Sequence, residues 1–119
     1  MKTHKDLDVW KKSITLVKEI YEFTSTFPKE EFYGITSQLR RCAVSIPSNI
    51  AEGAARNHKK EFIQFLYISL GSISELDTQI IICRELNFIN NDQFSHIQKN
   101  IEDIRAMILG LINYLNNKA

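Results

Sequence analysis

The sequence predicts an all-α fold, an antiparallel up-down-up-down four-helix bundle whose second helix is kinked near Pro47. Only four glycines and two prolines occur among the 119 residues, and this shortage of turn-forming residues favours a few long elements. Apolar residues also recur at spacings of three and four along four separate stretches, as they do on the buried face of a helix. We expect one domain, 1–119, with helices near 6–25, 30–55, 58–86 and 91–116.

The first helix is indicated by a row of apolar residues close to the N-terminus. Asp6 or Asp8 suits its start, because a carboxylate accepts hydrogen bonds from the free amides and complements the positive end of the helix dipole. The row alternates spacings of three and four, and it predicts a buried seam made of Leu7, Trp10, Ile14, Val17, Tyr21 and Thr24. This helix should end near Ser25.

The second helix opens with a proline followed by two glutamates in 28–31, a pattern typical of a first helical turn. Gly34 is expected to interrupt this opening turn, so that the main body covers about 33–55. Pro47 lies inside that body, where it lacks an amide hydrogen and its ring crowds a carbonyl of the preceding turn. We therefore expect a kink, with a break after Ile46 and a restart at Pro47 as the alternative.

The third helix is predicted to start after a cap at Asn57 and to end at Asn87 in a left-handed conformation. Its main seam is Phe62, Leu66, Ser69, Ile73, Leu76, Ile80 and Cys83. Further apolar residues follow its other sides, and a helix that is apolar nearly all round is buried nearly all round. A bundle of this size cannot cover one helix so completely, and we expect part of this surface to meet another subunit.

The fourth helix has the most regular pattern in the chain. Asn90, Asn91 or Asp92 can cap its start. Its seam alternates spacings of three and four from end to end: Phe94, Ile97, Ile101, Ile104, Ile108, Leu111 and Leu115. The mean spacing of 3.5 residues is typical of helices that pack in a left-handed manner, with a crossing angle near +20°.

The second helix has two opposite faces. Its apolar stripe, expected in the core, is Leu39, Ala43, Ile46, Ile50 and Ala54. Its polar stripe is Arg41, Ser45, Ser48, Asn49, Glu52 and Arg56. One interpretation is structural: the polar groups bond to neighbouring helices, including Ser69, Ser72 and Glu75 of the third, and fix the geometry of assembly. The other is a nucleic-acid surface built from Arg40, Arg41, Arg56, Lys59 and Lys60, since such cations suit phosphates.

The charge distribution favours no particular polyanion. The net charge is +1, but residues 1–60 carry +4 and residues 61–119 carry −3. The longest uncharged run, 62–74, has thirteen residues and is too short to cross a bilayer. The first twenty residues are charged throughout, unlike a secretory leader. We expect a cytoplasmic protein without a membrane partner.

Enzymatic signatures are missing from the sequence. A di-iron site in a helical bundle needs Glu-x-x-His, and neither His58 nor His96 follows a glutamate at that spacing. Cys42 and Cys83 fit no metal or redox spacing and are expected to be buried, reduced thiols. No phosphate-binding glycine loop occurs. We expect neither an enzyme nor a cofactor nor a metal.

Several segments resemble one known family. They are 6–10, 27–31 and 38–41, the string Ser-Ile-Pro-Ser-Asn-Ile-Ala-Glu-Gly at 45–53, Arg56, and 61–66 with 71–76. Together they resemble the bacterial four-helix-bundle proteins encoded in intervening sequences of 23S ribosomal RNA, also labelled S23 ribosomal proteins. The accessory proteins of diversity-generating retroelements are similar.

This resemblance implies a ring-shaped homopentamer without a catalytic residue, and it implies that nucleic acid or a protein is the partner. The family motif falls on Arg41, Ser45, Asn49, Glu52, Gly53, Arg56 and Glu75. Because the third helix is apolar all round, we expect Arg41, Asn49 and Glu52 to serve assembly first. The leading hypothesis is RNA or nucleoprotein binding through a basic face. The alternative is a structural or protein-interaction scaffold, such as a retroelement accessory factor, that does not itself bind nucleic acid.

Overall fold

Four long helices dominate the computed structural model, which describes residues 3–118. They are α1 (Asp8–Thr24), α2 (Ser37–Ala55), α3 (Lys59–Glu85) and α4 (Asn91–Asn117). No strand occurs within the described residues, and the predicted all-α, four-helix fold is confirmed. The predicted domain 1–119 also includes Met1, Lys2 and Ala119, which lie outside the described residues.

The contacts between α2 and α3 show how these two helices run. The Ser69 hydroxyl donates a hydrogen bond to the carbonyl of Ile46 at 3.0 Å, and the Cys42 thiol donates to the carbonyl of Ser72 at 3.0 Å. The earlier residue of α2, Cys42, thus contacts the later residue of α3, Ser72, so the two helices are antiparallel. These bonds join side chains to backbone inside the packed surface and fix the register of the two helices.

The contacts between α1 and α4 show that these two helices also run in opposite directions. The Lys12 ammonium lies 3.2 Å from the Asp103 carboxylate, and the Asn100 amide donates to Glu19 at 2.8 Å. The residue nearer the start of α1 thus meets the residue farther along α4. This pair is also antiparallel, so α4 packs back across the bundle onto the first helix.

The core draws on all four helices. The predicted seam of α3 is buried, and so is the predicted apolar stripe of α2 except for Ala54, which is partly buried against the core. The largest fully buried side chains are Leu16, Ile20, Leu39, Ile46, Ile50, Leu66, Ile73, Leu76, Ile80, Ile97, Ile101 and Ile104. The core consists mainly of aliphatic side chains with few polar atoms, and its burial supplies the main stabilising contribution.

The predicted seam of α1 is correct only in part. Thr24 is buried, and Leu7, Trp10 and Val17 are partly buried against the core, but Ile14 and Tyr21 are each 43% exposed. The buried row is Val9, Ser13, Leu16, Ile20 and Thr24. The two rows are neighbours on the helix, and the buried one is hidden in the sequence because it contains two hydroxyl residues. Their polar atoms are satisfied locally: Ser13 donates to the carbonyl of Trp10 at 2.8 Å, and Thr24 donates to that of Ile20 at 2.7 Å.

Two predicted helix caps are also wrong. The Asp6 carboxylate accepts a hydrogen bond from the Thr3 amide at 3.1 Å inside a short 3₁₀ turn, His4–Asp6, and does not cap α1. Leu7 and His58 occupy the cap positions of α1 and α3 without a side-chain hydrogen bond. The free amides at these two helix starts have no side-chain acceptor from the cap residue.

Two other predicted helix ends are confirmed. Asn87 follows α3 with φ of 62°, the left-handed conformation that asparagine tolerates better than most residues. Asn90 caps α4 in a reciprocal arrangement: its side chain accepts from the Gln93 amide at 2.8 Å, and the Gln93 side chain accepts from the Asn90 amide at 2.9 Å. The turn between α3 and α4 is thereby fixed at both ends.

The segment before α2 differs from the expectation. A 3₁₀ turn, Lys29–Glu31, and a π-helical turn, Phe32–Thr36, precede the helix, which begins at Ser37 and not near residue 30. Gly34 has non-helical angles, φ −106° and ψ −118°, and interrupts the opening as the sequence predicts. α2 then continues through Pro47, so the alternative of a break after Ile46 is wrong, while the kink stays a prediction.

Candidate functional site

The five basic residues predicted to bind nucleic acid lie in two groups. Arg40 and Arg41 are in the second turn of α2, while Arg56, Lys59 and Lys60 lie around the turn into α3. At about 1.5 Å of rise per residue, roughly 22 Å separates Arg41 from Arg56 along the helix. A single protomer therefore presents two cationic groups, the α2-start pair and the turn group, and not one continuous face.

The α2-start pair keeps its charge. The Arg40 Nε donates to the Thr24 hydroxyl at 2.9 Å, and its guanidinium lies 4.5 Å from the centroid of the Tyr21 ring. Both partners are neutral, so they hold the side chain without cancelling its charge. Arg41 is exposed and has no hydrogen-bond or ion-pair partner within residues 3–118. Two arginines side by side, neither neutralised, suit an anionic ligand.

In the turn group, Arg56 is neutralised. Its guanidinium lies 3.2 Å from the Glu52 carboxylate and 3.8 Å from the Glu61 carboxylate, and it also stacks over the Phe65 ring at 5.1 Å. These contacts link the end of α2 to the start of α3. Arg56 therefore contributes to the structure of the turn and offers little free charge to a ligand.

The two lysines of the turn group are available. The Lys59 ammonium donates to the carbonyl of Lys118 at 3.0 Å, a neutral acceptor, and this contact ties the start of α3 to the chain after α4. Lys60 is exposed and has no ion-pair partner among the described side chains. Both ammonium groups can reach a phosphate from solvent.

The polar stripe of α2 borders an open groove against α3 with a volume of about 490 Å³. Arg41, Ser45, Asn49, Ser72 and Glu75 are among the residues that line it. The hydroxyls of Ser45 and Ser72 are hydrogen bonded at 2.7 Å across the two helices, and the Asn49 amide donates to the carbonyl of Ser45 at 2.8 Å. In a protomer, the stripe thus links α2 to α3 at its centre and is open to solvent at its rim.

The two carboxylates predicted with that stripe have other partners. Glu75 accepts a hydrogen bond from Gln79 at 3.2 Å, one turn along α3, and Glu52 pairs with Arg56 one turn along α2. The stripe is therefore a set of local contacts and not one continuous network. The bond between Ser45 and Ser72 is its link between the helices.

Gly53 has a packing role. It is buried within α2, in the last turn of the helix. A Cβ at this position would lie 2.6 Å from the Cβ of Phe65 and 3.0 Å from Cδ1 of Phe62. Only glycine permits α2 and α3 to approach so closely here. This accounts physically for the glycine that ends the 45–53 string.

Both thiols are buried and protonated at neutral pH. Burial, with the nearby Glu75 carboxylate as a second cause, raises the pKa of Cys42 to about 12. Burial and the Glu31 carboxylate raise the pKa of Cys83 to about 11. A thiol attacks as its thiolate, and neither residue supplies one under ordinary conditions.

The raised thiol pKa values predict a loss of stability at alkaline pH. The folded chain holds these protons more tightly than the unfolded chain, whose thiols have the ordinary pKa of 9.0. Their contribution is complete below pH 9 and falls as the pH rises toward 11 and 12, by up to about 1.4 kcal/mol per thiol and pH unit. Urea unfolding from pH 8 to 11 should show a shallower decline in a Cys42→Ala, Cys83→Ala variant. Equal slopes would contradict the assignment.

Sites for other chemistry are not evident in residues 3–118. No three His, Cys, Asp or Glu side chains in this range come together as metal ligands. His96 contacts Glu19 and lies 3.2 Å from the Asn100 amide on the outer surface. Within the same range, no helix combines the length and apolar character that crossing a bilayer requires.

Two aromatic residues outside the predicted site stand near the α2-start pair. Phe32 and Tyr33 are 50% and 92% exposed, and they line an open cleft of about 620 Å³ together with Arg40 and Arg41. The sequence indicates that at least one of them is exposed, because the two aromatic residues are consecutive. Neighbouring positions on a helix point about 100° apart, so two consecutive aromatics cannot both face one core.

Comparisons with known proteins agree with this architecture. The structure of a protein of unknown function from the S23 ribosomal protein family of Bacteroides thetaiotaomicron VPI-5482 superposes with a TM-score of 0.81. The two sequences are 21% identical, and the match covers 88% of this chain and 95% of that one. This likeness shows the fold. No curated protein matches the sequence significantly.

The family is shown by the sequence itself. The profile of the 23S rRNA-intervening sequence protein family matches residues 5–110. This range includes the 45–53 string, the α2-start pair and the turn group, so the predicted resemblance is confirmed over most of the chain. The chain belongs to the 23S rRNA-intervening sequence protein family.

Proposed function

We propose that this protein is a non-enzymatic, homopentameric helical bundle that binds RNA, or a nucleoprotein partner, through its cationic surface. RNA binding is supported mainly by the lack of acidic partners around four of the predicted cations. Arg40, Arg41, Lys59 and Lys60 have no carboxylate partner among the described residues, whereas Lys12, Lys99 and Arg105 are paired with acids. Unpaired cations gain most from phosphate, because no existing ion pair must break and condensed counterions are released.

Assembly would multiply each cationic group. One protomer holds the two groups roughly 22 Å apart along α2, a spacing set by the helix rise. A closed ring repeats each group around its axis, once per protomer. Each group would thus become part of a ring of cations that a single chain does not have. The family's name also associates it with 23S rRNA.

The exposed face of α3 supports self-association. Large apolar side chains that are about half exposed follow this helix: Tyr67, Ile68, Ile81, Ile82 and Leu86. Such a surface is unfavourable in water and is typical of a subunit contact. It matches the expectation from the sequence that α3 is apolar on more sides than one chain can cover.

Light scattering tests the assembly. A homopentamer has five times the 13.8 kDa mass of one chain. A variant with Ile81→Ser and Ile82→Ser should shift this mass toward that of the monomer, because two exposed apolar side chains would leave the contact. A wild-type mass equal to one chain would overturn the pentamer.

A titration with structured RNA at low salt tests the binding. A triple variant, Arg41→Gln, Lys59→Gln and Lys60→Gln, should bind at least tenfold more weakly than wild type. The matched control, Lys12→Gln, Lys99→Gln and Arg105→Gln, loses the same charge from cations that already pair with acids. It should change binding much less. Absence of saturable binding by wild type would reject RNA as the partner.

The second candidate is a scaffold that binds another protein and not RNA. The same apolar face of α3 favours it, since a protein partner could cover these side chains as well as a second copy could. Copurification separates the two candidates. A partner protein that remains bound after nuclease treatment supports the scaffold, whereas its loss with the RNA supports RNA binding.

A further inference from the structure

The cleft lined by Phe32 and Tyr33 offers a site for one specific part of a nucleic acid. We propose that this cleft, called the aromatic cleft here, binds an unpaired nucleotide, with its base against the aromatic rings and its phosphate against the neighbouring cations. The inference rests on the RNA binding proposed above and names what part of the RNA is recognised.

The shape of the backbone creates this cleft. The segment Phe32–Thr36 bends at Gly34, whose φ of −106° and ψ of −118° are non-helical. It directs Phe32 and Tyr33 outward from the start of α2. Their rings lie 4.9 Å apart at 85°, an edge-to-face arrangement that holds one ring against the other. Tyr33, at 92%, is the most exposed of the large hydrophobic side chains in the described chain, and no core contact explains it.

The cleft is large enough for a nucleotide. It has a volume of about 620 Å³ and adjoins a second cleft of about 470 Å³. Phe32, Tyr33, Thr36 and Arg40 line both of them. Sites for small ligands fall in this range of volume. Because the two clefts share these four residues, they form one continuous path along the start of α2.

The charges around the path favour an anion. Arg40 and Arg41 line the first cleft, Lys29 lines the second, and no carboxylate lines either. None of the three cations forms an ion pair within the described part of the chain. Arg40 also lies over the Tyr21 ring, so its guanidinium extends the aromatic surface. Aromatic faces beside unpaired cations are the combination that binds single-stranded nucleic acid.

One polar group in the cleft has no partner. Thr36 is buried in its floor, and its hydroxyl has no hydrogen-bond partner among the described residues. The oxygen itself is inaccessible to solvent, so the rings and the cations, and not this hydroxyl, carry the proposed recognition.

Fluorescence of a base analogue tests the proposal. The probes are a short single-stranded RNA with one 2-aminopurine, its duplex with the complementary strand, and inorganic polyphosphate as a polyanion without bases. Wild type should quench the 2-aminopurine of the single strand. Tyr33→Ala should weaken binding of the single strand about 5- to 160-fold, the range for loss of one base–aromatic stack. It should leave binding of polyphosphate and of the duplex within twofold.

The matched control is Tyr114→Ala, which removes another exposed tyrosine, near the end of α4. It should bind the single strand as wild type does. Because Tyr33 is 92% exposed, its removal should leave the fold intact, and circular dichroism checks this. Arg41→Gln should reduce the salt slope for the single strand by about 0.7.

The outcomes separate the two proposals. If wild type binds duplex and single strand but Tyr33→Ala equals Tyr114→Ala, the aromatic cleft is rejected and RNA binding remains. If neither RNA form binds, both proposals fail. If Tyr33→Ala instead lowers the mass measured by light scattering, with binding unchanged, a second copy of the chain occupies the cleft, and the inference is overturned.

Discussion

Replacing Gly53 with alanine is expected to destabilise the fold by about 2–3 kcal/mol, a typical cost of overpacking a tight contact. The added methyl group would lie 2.6 Å from the Cβ of Phe65 and 3.3 Å from the carbonyl oxygen of Phe62. Neither atom is the flexible end of a side chain, so α2 and α3 must separate to accommodate it. Urea unfolding at one protein concentration measures the loss.

The chain offers its own control for this variant. Gly110 lies inside α4, and a Cβ there would have nothing within 4 Å. Gly110→Ala should therefore stabilise the protein by about 0.5–1 kcal/mol, the ordinary gain of replacing a helical glycine. Equal effects of the two substitutions would contradict the close approach of α2 and α3 at Gly53.

The second large effect is expected at Leu16. Leu16→Ala should cost about 3 kcal/mol, since the side chain is 1% exposed and its removal leaves a cavity in the core. Ile14→Ala should cost less than about 1 kcal/mol, because Ile14 is 43% exposed on the neighbouring face of α1. The comparison separates the observed buried row of α1 from the seam that its spacing predicts.

Measuring both variants at two protein concentrations makes this comparison sharper. A loss at Ile14 that grows with concentration would place Ile14 in a subunit contact. A loss at Ile14 that equals the loss at Leu16 at every concentration would contradict the observed packing of α1. The slope of free energy against urea should stay at its wild-type value in both variants.

The sequence predicts most of the fold because α2, α3 and α4 each contain a continuous apolar row at helical spacing. The stripes of α2 and α4 and the seam of α3 contain mostly aliphatic residues, so their period is easy to recognise. α1 is different, since apolar residues occupy two adjoining faces and Ser13 and Thr24 are among the buried ones. Spacing alone cannot show which of two adjoining apolar faces is buried, because this depends on contacts with the other helices.

The candidate site could be predicted only in part. Spacing on a helix identifies the cations, but the distance between Arg41 and Arg56 and the pairing of Arg56 with two glutamates depend on helix length and on the turn into α3. The aromatic cleft depends on the non-helical angles of Gly34 within 32–36, and no simple period encodes these angles. A buried hydroxyl and a nearly fully exposed tyrosine are visible only in three dimensions.

The salt dependence of RNA binding tests the central claim most directly. The logarithm of the affinity of wild type for structured RNA should fall linearly with the logarithm of salt concentration, over roughly 50 to 200 mM. The triple variant, Arg41→Gln, Lys59→Gln and Lys60→Gln, should reduce the slope by about 2–3 for each protomer that binds the RNA, because each phosphate left without its cation lowers the slope by roughly 0.7–0.9. A slope that is the same in wild type and variant, or binding that does not depend on salt, would contradict RNA binding by these cations.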